Sequence, residues 1–107
     1  GVVLFLRERE FGYVCRSAGS KGAADIVAVT SSGKAWLIQC KAGDGKMTHQ
    51  DKCELFKVAQ GCGAIAVVCV PAPKEWSGKY RFTLLKETVN ARVVEMLLAD
   101  LSVGGGA

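Results

Sequence analysis

Residues 24–41 read ADIVAVTSSGKAWLIQCK and predict a β-hairpin. Two nearly continuous apolar runs, residues 24–29 and 35–41, are typical of strands that are buried in a sheet. The short polar segment between them, residues 31–34, contains a glycine and favours a tight turn. Asp25 is the one charge inside the first run, and a carboxylate in an apolar strand needs a cation, backbone donors or a metal beside it.

The remaining segments surround this hairpin with helices and further strands. Gly12 ends an N-terminal helix, Thr48 can cap a second helix, and Pro71 stops a buried strand. The pattern predicts, in chain order, a helix over 2–10, a strand over 13–16, the hairpin, a helix over 48–60, strands over 64–70 and 79–85, and a helix over 88–101. This order favours an α/β fold in which helices flank one mixed central sheet.

Length and composition restrict the chain to one small domain. The chain has 107 residues, of which 50% are hydrophobic and 22% charged, so it can form a core and does not have the composition of a disordered chain. We expect a single domain over residues 1–107, with a flexible glycine-rich tail at 102–107. No apolar run approaches the roughly 18 residues of a membrane helix, and no targeting pattern is visible.

The cysteine and histidine content argues against a zinc site. None of the five cysteines forms a CxxC pair, and His49 is the only histidine. An odd number of cysteines on strand-like and helix-like segments indicates reduced, buried thiols, and hence a cytoplasmic location, or the host cytoplasm if a virus encodes the protein. The formal net charge of +4 suits an anionic partner, although many ordinary domains carry as much.

Two side chains at the end of the second hairpin strand are placed to lie beside Asp25. Gln39 and Lys41 are two residues apart, and strand residues two apart share a face. A carboxylate, an amide oxygen and an ammonium group on one surface suit Mg²⁺ and the stabilisation of phosphate charge. A plain Asp25–Lys41 salt bridge at a sheet edge explains the same spacing.

The segment RSAGSKGAADIVA at residues 16–28, followed by IQCK at 38–41, resembles the archaeal-type Holliday junction resolvase (Hjc) family of the PD-(D/E)xK nuclease superfamily. The resemblance runs through most of the chain and implies a restriction-endonuclease-like fold. It also implies a metal-dependent endodeoxyribonuclease of DNA recombination and repair, which resolves four-way DNA junctions by paired symmetric nicks. The expected partner is branched DNA. The expected assembly is a homodimer, whose two active sites match the two-fold symmetry of a junction.

The resemblance assigns catalytic roles to residues of the hairpin. Asp25 matches the motif aspartate that binds the metal, and Lys41 matches the catalytic lysine. Gln39 stands where most members have glutamate, so it would offer a neutral oxygen, and the Cys40 carbonyl would be a further metal ligand. The expected metal is Mg²⁺, with Mn²⁺ as a substitute. The metal would polarise the scissile phosphate while Lys41 positions the attacking water.

A first-helix glutamate of the family is either absent here or lies just before Gly1. Counting back from Gly12 reaches Gly1, and Glu8 and Glu10 lie too late in the helix, where they are expected to be surface charges. This departure, together with Gln39, keeps two alternatives open. One is another PD-(D/E)xK repair or restriction-type nuclease, and the other is a junction-binding module that has lost cleavage.

DNA contacts are predicted on the loop that precedes Asp25. Cations, hydroxyls and a small-residue backbone are the groups with which proteins hold a phosphate backbone. The predicted contacts are Arg16, Ser17, Ser20 and Lys21, with Lys46 of a second glycine-rich loop as a mobile arm. A solvated loop and an ordinary surface lysine are the alternatives. The apolar segments 64–70 and 93–97 suit either a dimer interface or the core.

Overall fold

Six strands and two helices make up the part of the chain that this computed structural model describes, residues 2–7, 9, 11–16, 24–41, 47–71 and 80–98. In chain order the elements are α1 (Val2–Arg7), β1 (Phe11–Arg16), β2 (Ile26–Thr30), β3 (Ala35–Cys40), α2 (His49–Gly61), β4 (Ile65–Pro71), β5 (Tyr80–Glu87) and β6 (Val93–Leu97). Within these described segments, neither helix is long and apolar enough to cross a membrane. The tail at 102–107, which the sequence predicts to be flexible, lies outside them.

The strands form one mixed sheet in the order β1-β2-β3-β4-β5-β6. Neighbouring strands are antiparallel except β3 and β4, which are parallel because α2 carries the chain back across the sheet between them. The register places Cys40 opposite Cys69, and Cys69 opposite Phe82. Strands β1, β3 and β4 therefore end, and β2 and β5 begin, at one end of the sheet, here named the Cys40 end.

Each face of the sheet packs against one helix, so the molecule has two apolar cores. The core on the α1 face consists of Leu6, Phe11, Val14, Ile26, Ala28, Ile38, Val67, Cys69 and Phe82. The core on the α2 face consists of Ala24, Met47, Leu55, Ala59, Ala66, Val68, Leu85 and Val93. Successive strand residues alternate between the two faces, as Val68 and Cys69 do. The predicted fold class, an α/β domain with helices flanking a mixed sheet, is confirmed.

The hairpin and the second helix form where their local signals predict them. Gly33 has φ +90, which a glycine adopts without steric cost, and its N–H donates to the Thr30 carbonyl at 2.9 Å in the turn between β2 and β3. Thr48 caps α2, because its Oγ1 accepts from the Asp51 N–H at 3.1 Å. The apolar segment 64–70 forms β4, which is buried from Ala66 to Cys69 and belongs to the core.

The prediction of a helix over 88–101 is wrong. Residues 88–92 form a turn, closed by hydrogen bonds from Thr88 N–H to the Arg92 carbonyl at 2.8 Å and from Ala91 N–H to the Thr88 carbonyl at 2.9 Å. The chain then continues as β6, antiparallel to β5. Val89, which supplied part of the helical spacing, is fully exposed in the turn. The ladder of hydrogen bonds to β5 outweighs the local helical pattern.

Candidate active site

Asp25 lies one residue before β2, and its carboxylate is held by the neighbouring strand. Gln39 Nε2 and the Cys40 N–H both donate to Asp25 Oδ2, each at 3.0 Å. The Asp25 N–H donates to the Ile38 carbonyl at 2.9 Å, which fixes the backbone beside the carboxylate. Two donors therefore compensate the half-buried carboxylate without a cation.

The amide of Gln39 faces Asp25 with its nitrogen. Because Nε2 donates to Oδ2, the oxygens left for a cation are Asp25 Oδ1, Gln39 Oε1 and the Cys40 carbonyl. The described residues contain no cluster of three or more histidine, cysteine, aspartate or glutamate side chains that could hold a metal. One carboxylate with neutral oxygens fits Mg²⁺, which keeps several waters and takes substrate phosphate as a further ligand. It does not fit a closed zinc site.

Lys41 lies directly beyond β3, on the wall of a cleft at the Cys40 end. Its N–H donates to the Cys69 carbonyl at 2.9 Å, so its backbone position is fixed by β4. The cleft has a volume of about 250 Å³ and is also lined by Val2, Cys40, Pro71 and Tyr80, among others. Lys41 and Asp25, both within the described part of the chain, form no ion pair, so the simple salt bridge is not present.

Two thiols, Cys40 and Cys69, lie opposite each other on β3 and β4 beside this cleft. A hydrogen bond with Cys69 lowers the pKa of the Cys40 thiol, while burial and the Asp25 charge act in the opposite direction. The same hydrogen bond and burial raise the pKa of the Cys69 thiol. All five cysteines are free, as predicted, but Cys15 and Cys62 are exposed rather than buried. The spacing of the cysteines gave no sign of the Cys40–Cys69 pair.

The residues predicted to contact DNA are described only in part. Arg16 ends β1 opposite Ile26, is exposed, and lies near enough to Cys40 for its charge to lower the pKa of that thiol. Arg16 is therefore at the Cys40 end with Asp25 and Lys41. The other predicted contacts and the two helix glutamates lie outside the described residues: Ser17, Ser20, Lys21, Lys46, Glu8 and Glu10.

The structure also draws attention to Arg81, which the sequence did not single out. Arg81 is the second residue of β5, at the Cys40 end and opposite Val70, and its Nε is buried without a hydrogen-bond partner. The sequence signal for this residue was weak, because its position depends on how β5 pairs with β4 after the intervening residues 72–79.

Comparisons with known proteins support the fold. No family model matches the chain, and no curated protein matches its sequence. Among solved structures, the chain is similar to Hjc, a Holliday junction resolvase from the archaeal hyperthermophile Archaeoglobus fulgidus. The match covers 94% of this chain and 88% of that chain, with 21% sequence identity and a TM-score of 0.63. The two proteins share a restriction-endonuclease-like fold.

Proposed function

We propose that this protein is a metal-dependent endodeoxyribonuclease that resolves four-way DNA junctions by paired symmetric nicks. One observation carries the proposal. A carboxylate, Asp25, is fixed by Gln39 and Cys40 close to Lys41 at one end of the sheet, in a fold shared with a Holliday junction resolvase. A fixed carboxylate with a lysine at the same end of the sheet supports hydrolysis of a phosphodiester.

The metal would be Mg²⁺, with Mn²⁺ as a substitute. Asp25, the Gln39 amide oxygen and the Cys40 carbonyl would hold it, with water and substrate phosphate as further ligands. When bound, the cation supplies Lewis-acid stabilisation of the phosphoryl oxygens.

The chain's own groups contribute orientation and charge. The donors from Gln39 and Cys40 keep the Asp25 carboxylate in one orientation. The Lys41 ammonium offsets negative charge that develops on the phosphate and orients the attacking water. Arg16, Ser17, Ser20, Lys21 and Lys46 hold the DNA backbone, so that junctions are recognised by shape rather than by base sequence.

The working form would be a homodimer, because two symmetric nicks in a four-way junction require two sites related by a two-fold axis. Exposed apolar side chains on the edge strand β6 support an interface there: Val94 is 39% exposed, Met96 47% and Leu97 45%. Strand β4 is not available for this purpose because it lies in the core.

A junction-binding module without cleavage is the second candidate. Its support is the single carboxylate that the described residues bring to the site, with the neutral Gln39 where a second charge would strengthen metal binding. Another repair or restriction-type nuclease of the same superfamily is a third candidate, and the same experiment separates all three.

The test compares a labelled synthetic four-way junction with a matched linear duplex in the presence of Mg²⁺. Paired nicks confined to the junction support a resolvase. Cuts in both substrates favour a different nuclease, and tight junction binding without cuts favours the binding module.

Asp25→Asn and Lys41→Ala are expected to abolish cleavage while junction binding stays within about tenfold, or about 1.4 kcal/mol. The reason is that both residues belong to the reaction centre, whereas other cations carry the backbone contacts. Lys86→Ala is the matched control, since Lys86 is exposed and lies at the opposite end of β5. Gel-shift and cleavage assays on the same preparations make the measurement, and retained cleavage in either variant would exclude its catalytic role.

A further inference from the structure

We propose that Arg81 binds a phosphate of the DNA backbone that flanks the scissile one, an inference that rests on the proposed nuclease function. Nothing in the sequence pattern assigned Arg81 to the site. Its position in the sheet and the buried, unpaired Nε of its guanidinium carry the proposal.

Arg81 lies on the same end and the same face of the sheet as the reaction centre. The register runs from Gln39 through Val68 to Thr83, and all three therefore share the α2 face. Arg81 is two residues before Thr83 on β5, so it shares that face and lies nearer the Cys40 end. Cys40 lies opposite Cys69, so the next residue, Lys41, lies beside Val70. Val70 in turn lies opposite Arg81.

One donor of the Arg81 guanidinium, its Nε, lacks a hydrogen-bond partner. The side chain is half-buried, and its Nε is buried without a hydrogen bond. A guanidinium stays charged at any physiological pH, and more than about nine in ten buried donors in proteins are paired. Leaving such a donor unpaired costs free energy, so this site favours an anionic ligand.

Two carboxylates on this face, Glu95 and Asp25, are already engaged by other groups. Glu95 Oε1 forms an ion pair with Lys52 Nζ at 3.1 Å, and Glu95 Oε2 accepts from Thr83 Oγ1 at 3.1 Å. Asp25 accepts from Gln39 and Cys40. The anion that Arg81 takes must therefore come from outside these pairs.

A DNA phosphate has the right chemistry and spacing for this position. Strands lie about 4.8 Å apart, so the backbones of Lys41 and Arg81, two strands apart, are separated by about 10 Å. A phosphate backbone whose scissile group lies at Asp25 and Lys41 carries further phosphates on either side, within reach of a long side chain. The planar guanidinium can bind two phosphate oxygens at once.

The experiment measures DNA binding by Arg81→Met, which keeps the apolar stem and removes the charge. We expect the binding of junction and duplex to weaken about threefold to tenfold. The magnitude of the slope of log K against log salt should fall by about 0.9, the value for one phosphate contact. Arg81→Lys should recover part of the affinity, because it restores the charge without the planar donor pair. Arg92→Met is the matched control, since Arg92 is exposed in the turn at the opposite end of the sheet.

Thermal unfolding of the free protein provides the second measurement. If Arg81 serves DNA and not the fold, Arg81→Met should unfold at the same temperature as the wild type or higher, because it removes an unpaired buried donor. A residue with a structural role would instead lower the unfolding temperature and leave the salt slope unchanged.

The outcomes separate this inference from the proposed function. If the wild type cleaves junctions but Arg81→Met binds with the affinity and salt slope of Arg92→Met, the Arg81 assignment is wrong and the nuclease proposal stands. If the wild type binds neither junction nor duplex, both proposals are wrong. Weaker binding and a smaller slope in Arg81→Met alone support the assignment.

Discussion

An amide at position 39 sets the charge of the candidate site. Gln39 donates to Asp25 Oδ2 at 3.0 Å, so the pair is stable without a metal. A glutamate at the same position would bring two carboxylates to within hydrogen-bond distance. Without a cation they would repel each other, and with a divalent cation they would bind it together. In the proposed metal site, the amide would therefore lower metal affinity and stabilise the metal-free protein.

Gln39→Glu is expected to destabilise the metal-free protein at pH 8 by about 1–2 kcal/mol, because a hydrogen bond is lost and two carboxylates face each other. Mg²⁺ should raise the unfolding temperature of the variant more than that of the wild type. The variant should also reach half-maximal cleavage at a Mg²⁺ concentration roughly fivefold lower than the wild type needs, which is equivalent to about 1 kcal/mol.

The control for this variant is Gln50→Glu, the same substitution at an exposed position of α2. Thermal unfolding across a Mg²⁺ titration measures metal binding independently of cleavage. Equal Mg²⁺ responses in wild type and Gln39→Glu would argue against Gln39 as a metal ligand.

Among the elements, those with local signals were predictable and those defined by distant pairing were not. The β2–β3 hairpin follows from residues 31–34, and α2 from its cap at Thr48. Strand β6 is a strand only because β5 lies beside it, so the helical spacing of its apolar residues was misleading.

In the candidate site, too, the contacts within one hairpin were predictable and those between distant strands were not. The contact between Asp25 and Gln39 follows from hairpin register, which the sequence contains. The Cys40–Cys69 pair and the position of Arg81 depend on β4 and β5, which join the hairpin through α2 and residues 72–79. No local pattern encodes that register, so these parts of the site could not be predicted from the sequence.

Ala91→Gly distinguishes the observed turn from the predicted helix. Ala91 has φ 59, a left-handed conformation that costs an L-residue about 1 kcal/mol and a glycine almost nothing. The substitution is therefore expected to raise the free energy of unfolding by about that amount. In a helix the same change would lower it by about 1 kcal/mol.

Denaturant unfolding measures the change in the free energy of unfolding. Ala59→Gly in α2 is the control, for which a change of opposite sign is expected. Ala59 is buried within a helix, so its replacement should destabilise the protein by about 1 kcal/mol or more. Two substitutions that destabilise alike would show that residues 88–92 do not form the turn.

In the molecule as a whole, the charged side chains of the proposed site lie at one end of the sheet and turns lie at the other. The Cys40 end carries Arg16, Asp25, Lys41 and Arg81. The opposite end carries the turns at 31–34 and 88–92, together with a hydrogen bond from Lys34 Nζ to the Gly63 carbonyl at 2.8 Å. The proposed DNA face is thus one end of the sheet.

Amide hydrogen exchange with and without junction DNA tests this placement, using Asp25→Asn to prevent cleavage. We expect DNA to slow exchange at Cys40, Lys41 and Arg81, because these amides lie where the backbone would bind. Exchange in the turns at 31–34 and 88–92 should change little. Protection centred on those turns would place the DNA at the wrong end of the sheet for the proposed reaction.

Among the described strands, the one parallel pair, β3 beside β4, separates two meanders of three strands each. Asp25, Gln39 and Lys41 come from the first meander. Arg81 and the Cys69 carbonyl that fixes the Lys41 backbone come from the second. The groups proposed for bond cleavage thus belong to one half of the chain. The carbonyl that anchors Lys41 and the arginine proposed to bind the flanking phosphate belong to the other. The proposed reaction therefore needs both halves, and the hydrogen bonds between β3 and β4 hold them together.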